Sequence, residues 1–316
     1  MPTRTRSRCS TPCSTASTVA PPRKAAPGSP RVTRRGVRPD VGETVPVRLT
    51  RYHGLGNEFL IAFTDSVPAD APEHARRLCD RSDGIGADGL VFGTPTDPDL
   101  ANRLTFTLFN SDGGRAEVSG NGLCCFGHAI LRSRPGCGGG LDVVVDTAAG
   151  PRRIRVAGDP ADVKVPATVE MGEAVAGPDT AGLVVDLGGP TAGRMQSVDL
   201  GNPHLVVEVD DVDAVDLGSV GPSIEAHFGQ VGCNVHMVTV LDRSTLRLRP
   251  WERGAGLTEA CGSGACAAAA AAHGWGSVDG SVEVRMPGGT AVVTVGDPVV
   301  LSVPSVFVDE HEVDDG

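Results

Sequence analysis

Two turns of this sequence carry residues that could move a proton. "EACGSGACAAAAAAHG" places Cys261 directly ahead of a Gly-rich turn and an alanine run, and 142 residues earlier "EVSGNGLCCFGHAIL" places Ser119 in the same relation to Gly120, Asn121 and an apolar run. Both runs read as helices, so each side chain sits where a helix begins. The first N–H groups of a helix have no intrahelical partner, and the aligned peptide dipoles leave about half a positive charge there. A cysteine at such a start is expected to have its thiolate stabilised and its pKa lowered from about 8.5. Flanking glycines let a ligand approach the backbone. Serine has no useful anionic fraction at neutral pH, so Ser119 is expected to be a poor base that can still donate or relay a proton. Upstream of Cys261, "WERG" supplies Glu252 and Arg253, a carboxylate and a guanidinium suited to a substrate that carries both an ammonium and a carboxylate.

Other readings of these turns have less support. A phosphate cradle needs a Lys-Ser/Thr ending, which neither turn has. A lone cysteine is usually a small buried hydrophobe, and that is the expectation for Cys79, Cys137 and Cys266. Cys124 lies about 140° round the helix from Ser119, so it is no obvious stand-in for it.

The elements that must position these residues can be read from the same sequence. Short β-rich runs ("FLIAF", "LTFTLF", "LDVVVD", "LVVEV", "VHMVTV", "LRLRP", "VEVRM", "AVVTV", "VVLSV") alternate with Gly, Pro, Asn and Asp turns. Helical stretches are fewer: "APEHARRLCDR", the run after Gly122, "VGPSIEAHFG" and the alanine run after Gly264. This is an α+β pattern. Each half runs strand, Gly-rich turn, buried helix. The simplest geometry is two similar domains facing each other across a cleft, each presenting a helix N-terminus to the gap.

Composition narrows the function. With 316 residues, 40% hydrophobic and only 3% aromatic, the chain must pack through many small contacts. No apolar run reaches the roughly 18 residues of a membrane span. Met1–Pro39 holds nine Lys or Arg and no Asp or Glu, so the net charge of −11 leaves −20 on the remainder. An acidic body argues against nucleic acid as a partner. The first 45 residues read as a disordered basic leader, the product of an upstream start codon, a transit peptide or a plain tail. Nine cysteines without regular spacing or a secretory signal imply free thiols in a reducing, cytoplasmic setting, and no metal is expected.

From about Arg51 to Asp309 the sequence resembles the diaminopimelate epimerases, cofactor-independent two-base amino-acid epimerases. The resemblance runs in order through "HGLGNEFL", "CDRSDGIGADGLV", "FNSDGGRAEVSGNG", "GNPH", "GCNVHMV", "WERGAGLTEACGSGA" and "MPGGTAVVTV". It implies two similar domains related by a pseudo-two-fold repeat, each a curled, mainly antiparallel sheet around a central helix. Their expected limits are 46–163 plus about 303–311, and 164–302. It also implies interconversion of LL- and meso-diaminopimelate, with no cofactor and no metal, on a small-molecule amino-acid substrate, with a homodimer as the assembly to test.

Carried over by position, Cys261 matches the second-domain acid/base, and Glu252 and His204 match polar groups flanking the catalytic pair. Asn57, Asn110, Gly120, Asn121, Asn202, Asn234, Arg253, Gly262 and Ser263 match substrate-contacting positions. The sequence departs from the family pattern at Glu58 (usually Asp), Cys124 (often Arg), Leu257 (usually Glu) and Ser263 (usually Thr). The largest departure is Ser119, which replaces the first catalytic cysteine. That replacement keeps open a racemase, epimerase or lyase of another amino acid, and a non-catalytic amino-acid-binding homologue.

Overall fold

The computed structural model describes residues 47–96, 103–134 and 138–313. The basic leader, 1–45, and Cys137 lie outside the described residues. The first half of the chain runs β1 (Val47–Gly54), β2 (Asn57–Phe63), α1 (Ala71–Cys79), β3 (Gly89–Pro95), β4 (Leu104–Asn110), β5 (Arg115–Ala116), α2 (Gly120–Arg132), β6 (Leu141–Thr147), β7 (Gly150–Val156) and β8 (Lys164–Gly172). After β9 (Val175–Ala176), the second half runs β10 (Ala192–Asp199), β11 (Pro203–Val209), α3 (Leu217–His227), β12 (Asn234–Asp242), β13 (Thr245–Glu252), β14 (Gly256–Leu257), α4 (Gly262–Gly274), β15 (Ser281–Met286), β16 (Gly289–Thr294) and β17 (Val299–Val313).

The two halves repeat strand for strand. In the first, β1–β2, β3–β4, β6–β7 and β7–β8 are antiparallel, whereas β2–β3 and β4–β6 are parallel. In the second, β10–β11, β12–β13, β15–β16 and β16–β17 are antiparallel, whereas β11–β12 and β13–β15 are parallel. Each parallel step is bridged by a helix: α1 and α3 lie outside the sheet, α2 and α4 inside it. Parallel neighbours need such a crossover.

Both rings close. β8 pairs with β17 and β17 with β1, which completes a barrel around α2. β9 continues the line of β8 and pairs with β10, which completes a barrel around α4. Because β17 is 15 residues long, it serves both rings. Its first residues pair with β16 and β8, and its last, from Val306, pair with β1. The sheet is therefore continuous, with β8 and β17 as its seam.

A helix enclosed by a barrel must bury all of its faces, and these two do so over nearly their whole length. Gly120–Leu131 is buried throughout. In α4 the alanine run fills the ring with small side chains, from Ala265 to Ala272. The first barrel uses rings instead, with Phe126 of α2 packed on Phe63 and Phe106. Outside the sheet, α1 packs on Leu60, Leu90, Phe92 and Phe109, and α3 on Leu205, Val207, Val235 and Met237. The low aromatic content is thus accommodated by close approach rather than bulk.

Candidate active site

The two helix starts have the same geometry. Ser119 caps α2 in extended conformation (φ −137°, ψ 118°), and Gly122 N–H donates to its Oγ at 3.1 Å. Cys261 caps α4 the same way (φ −130°, ψ 109°), and Gly264 N–H donates to its Sγ at 3.4 Å. An asparagine braces each start, Asn57 at the beginning of β2 and Asn202 just ahead of β11. Asn121 Nδ2 donates to Asn57 Oδ1 at 2.6 Å, and the corresponding Asn202 Nδ2 lies 3.4 Å from Ser263 Oγ. The helices meet head to head. A Cβ on Gly262 would lie 3.1 Å from the Asn121 backbone nitrogen and 2.8 Å from Asn121 Oδ1, so glycine there lets the two N-termini come this close.

A cavity of about 850 Å³ opens where they meet. It is lined by Ser119, Gly120 and Asn121 from α2 and its cap, by Cys261, Gly262 and Ser263 from α4 and its cap, and by Asn57, Asn110, Asn202, Asn234, Glu252 and Arg253 from strand ends. Of the residues expected from sequence, His204 alone does not line it. Its ring is fully buried beneath the floor, with Nε2 2.9 Å from Asn202 Oδ1 and Nδ1 2.9 Å from His236 Nε2.

At three positions related by the repeat, the titratable groups fall on one side. The strand registers Phe59↔Gly89 and His204↔Asn234, and Gly89↔Asn110, make Asn110 and Phe59 the first-half equivalents of Glu252 and His204. Ser119 is the equivalent of Cys261. At these positions the second half has a thiol, a carboxyl and an imidazole, and the first half has none of them.

Cys261 is not the stabilised thiolate expected from its helix start. Burial pushes the thiol up, and the adjacent Glu252 carboxylate adds to this, outweighing the N–H of Gly264 and the Ser263 hydroxyl. Cys261 is only 4% exposed, and desolvation exceeds the helix-start effect. Glu252 is itself raised by burial, opposed by Thr258 Oγ1, which donates to Glu252 Oε1 at 2.6 Å, and by Cys261. The Glu252 carboxyl lies beside the Cys261 thiol, so a proton can pass between them. Burial also holds His204 well below the usual histidine range and His236 down at about 3, so both imidazoles are neutral.

Arg253 is already engaged. Its N–H donates to Asn234 Oδ1 at 2.9 Å, Nη1 to Val231 O at 2.8 Å, and Nη2 to Glu117 across the cavity at 3.1 Å. Sequence reasoning passed over Glu117, Thr258 and His236. Glu117 stands two residues before Ser119, and His236 alternates inward with Asn234 along β12, so both were findable by position.

A doubled barrel with two helix N-termini facing one cavity is a fold that this chain shares with proteins of known structure. A hydroxyproline epimerase from Agrobacterium vitis superposes with a TM-score of 0.62 at 16% identity, covering 85% of this chain and 93% of that one. The chain belongs to the diaminopimelate epimerase family, whose model matches residues 49–176 and 196–301. It is 38% identical over 277 residues to the diaminopimelate epimerase of Moorella thermoacetica, covering 83% of this chain and 97% of that one. It is 37% identical over 287 residues to the diaminopimelate epimerase of Ectopseudomonas mendocina, covering 84% and 99%.

Proposed function

We propose that the protein interconverts LL- and meso-diaminopimelate by removing and replacing the α-proton, with Cys261 as the principal acid/base. The observation that carries this reading is the Cys261–Glu252 pair, set at a helix start in a cavity rimmed by amide donors. The thiol gives its proton to Glu252 and the resulting thiolate takes the α-proton. Charge then builds on the substrate carboxylate, which the first N–H groups of α2 and α4, at Gly120–Asn121 and Gly262–Ser263, are aimed to hold. Ser119 Oγ–H supplies the proton on the opposite face and is reprotonated by water.

Asn57, Asn110, Asn202, Asn234 and Arg253 orient the amino acid, and His204 supports Asn202 from beneath. In this reading the site lies between an N-terminal domain of about 46–163 plus 303–311 and a C-terminal domain of about 164–302. The six cysteines among the described residues are all buried free thiols, which suits a reducing cytoplasm. No helix among the described residues is long and apolar enough to cross a membrane.

The test is to incubate metal-free protein with each stereoisomer and follow their ratio by chiral separation. Conversion in both directions toward a common mixture is expected without any added cofactor. Ser119 favours one other reading, an epimerase, racemase or lyase acting on a different amino acid. Inertness toward diaminopimelate together with α-proton exchange on another amino acid would establish that reading. Ligand binding without any exchange would leave a binding homologue.

A further inference from the structure

Behind Cys261 lies a cluster that the epimerase reading does not use in full. His204 of β11, His236 of β12 and Cys261 at the cap of α4 are all buried, and one ligand atom from each lies within 4.8 Å of the other two. We propose that these three residues form a binding site for a soft divalent transition-metal ion of the zinc type, and that occupancy ties up Cys261 and silences the enzyme.

The donor set suits such an ion, because two imidazole nitrogens and a thiolate are the ligands that zinc favours. The hydrogen bonds set the tautomers. Asn202 Oδ1 can only accept, so His204 Nε2 carries the proton and donates to it at 2.9 Å. That leaves His204 Nδ1 with a free lone pair turned toward His236 Nε2, also at 2.9 Å. A metal-bound histidine characteristically donates its second N–H to an oxygen acceptor, and Asn202 already fills that role. With His204 Nδ1 as acceptor, His236 Nε2 donates to it, which leaves His236 Nδ1 as a buried nitrogen without a partner. Moving that proton from Nε2 to Nδ1 turns two facing lone pairs toward one point.

The dimensions require little adjustment. Tetrahedral bonds of about 2.0–2.1 Å to nitrogen put two ligand nitrogens about 3.3 Å apart. The histidines therefore separate by roughly 0.4 Å, and the sulfur moves inward toward its bond length of about 2.3 Å. The first turn of α4 makes room for this arrangement. A Cβ on Gly264 would fall 2.3 Å from His236 Cε1, so glycine is what allows the imidazole to lie beneath the turn that Cys261 caps. Cys261 also lines the cavity, which gives the ion a route in and leaves a fourth position for water. On binding, the S–H bond breaks and an S–metal bond forms. The proton leaves through Glu252 to solvent, and nothing is oxidised or reduced.

Titration of metal-free protein with Co²⁺ reads the site directly, because only a thiolate ligand gives a near-ultraviolet charge-transfer band. One ion per chain with that band is expected. Binding should weaken at least about 100-fold in both Cys261→Ala and His236→Asn, each checked for folding by circular dichroism. Should His236→Asn fail to fold, His204→Gln takes its place. The proposal is overturned by no one-to-one binding up to about 1 mM, or by His236→Asn or its substitute binding as tightly as the native chain.

The functional half rests on the epimerase reading. α-Proton exchange should stop with Zn²⁺, return with chelator, and become insensitive to Zn²⁺ in His236→Asn. A Co²⁺ site in a protein that exchanges no amino acid would overturn the epimerase reading and leave the metal site standing. Full exchange activity with the site saturated by Zn²⁺ would overturn the silencing.

Discussion

At the scale of single residues, the site is lopsided. Cys261, Glu252 and His204 stand opposite Ser119, Asn110 and Phe59, so at these paired positions only the second half carries titratable acid/base groups. General acid–base groups contribute about 10²–10⁴-fold, and a hydroxyl matches the task poorly. Ser119→Cys should therefore raise the rate of stereochemical inversion by at least about tenfold. A folded Ser119→Cys protein with no gain would mean that the first half of the site is impaired elsewhere. Cys261→Ala should abolish α-proton exchange from both stereoisomers, measured by deuterium uptake; retained exchange would transfer the role of base to another group.

The legibility of the site followed the type of signal. Gly-rich helix starts and "WERG" are local strings, so Cys261, Ser119, Glu252 and Arg253 could be found from sequence. The state of Cys261 could not, because its thiol is governed by burial and by Glu252 rather than by the helix start alone. Likewise, nothing in the spacing of residues 204, 236 and 261 suggests a cluster, since each comes from a different element. Only the folded barrel brings them together.

At the scale of elements, the approach of α2 to α4 sets the width of the cavity. A Cβ on Gly262 would fall 2.8 Å from Asn121 Oδ1, 3.1 Å from Asn121 N and 2.9 Å from Leu301 Cδ2. Gly262→Ala should cost about 1–3 kcal/mol of stability by overpacking and should lower activity more than its melting temperature suggests, because it parts the two helix starts. Chemical denaturation and rate measurement on the same sample check this; unchanged activity would show that the spacing is not critical. The four α-helices among the described residues were legible from sequence. β7 and β8 were not, although their buried residues alternate cleanly, because "GPRRIRV" and "KVPATVEMG" are broken by proline and dense in charge. Pro166 is tolerated in β8 because it still accepts through its carbonyl from Ala157 N–H.

At the scale of the whole molecule, the doubled topology was anticipated from one repeated turn. The resemblance already assigned about 303–311, the end of the last strand, to the first domain, but the part that β8 plays in both rings was not legible, because a strand that serves two barrels carries no special composition. The α2 barrel depends on a buried histidine. His128 lies between Ser305 Oγ of β17 and the Asp162 carbonyl, 3.1 Å from each, and its ring meets Tyr52 edge-on. Burial holds its pKa down at about 4, against about 6.5 when unfolded. The unfolded chain thus binds the proton more readily. The stability is fully present above about pH 6.5 and drains as pH falls toward 4, by roughly 3 kcal/mol at this residue alone. His236, held at about 3, acts in the same direction. Melting temperature should fall between pH 6.5 and 4.5, and less so in His128→Gln; a flat profile in the native chain would contradict the assignment.

The central claim is that one thiol on one face does most of the proton transfer. The most direct measurement follows each diaminopimelate stereoisomer in heavy water, scoring deuterium at the α-carbon separately in unconverted substrate and in product. The isomer whose α-proton faces Cys261 should take up deuterium in the substrate pool faster than it inverts, and the other isomer should exchange slowly. Equal inversion from both isomers with deuterium confined to product would contradict this account, as would no exchange from either.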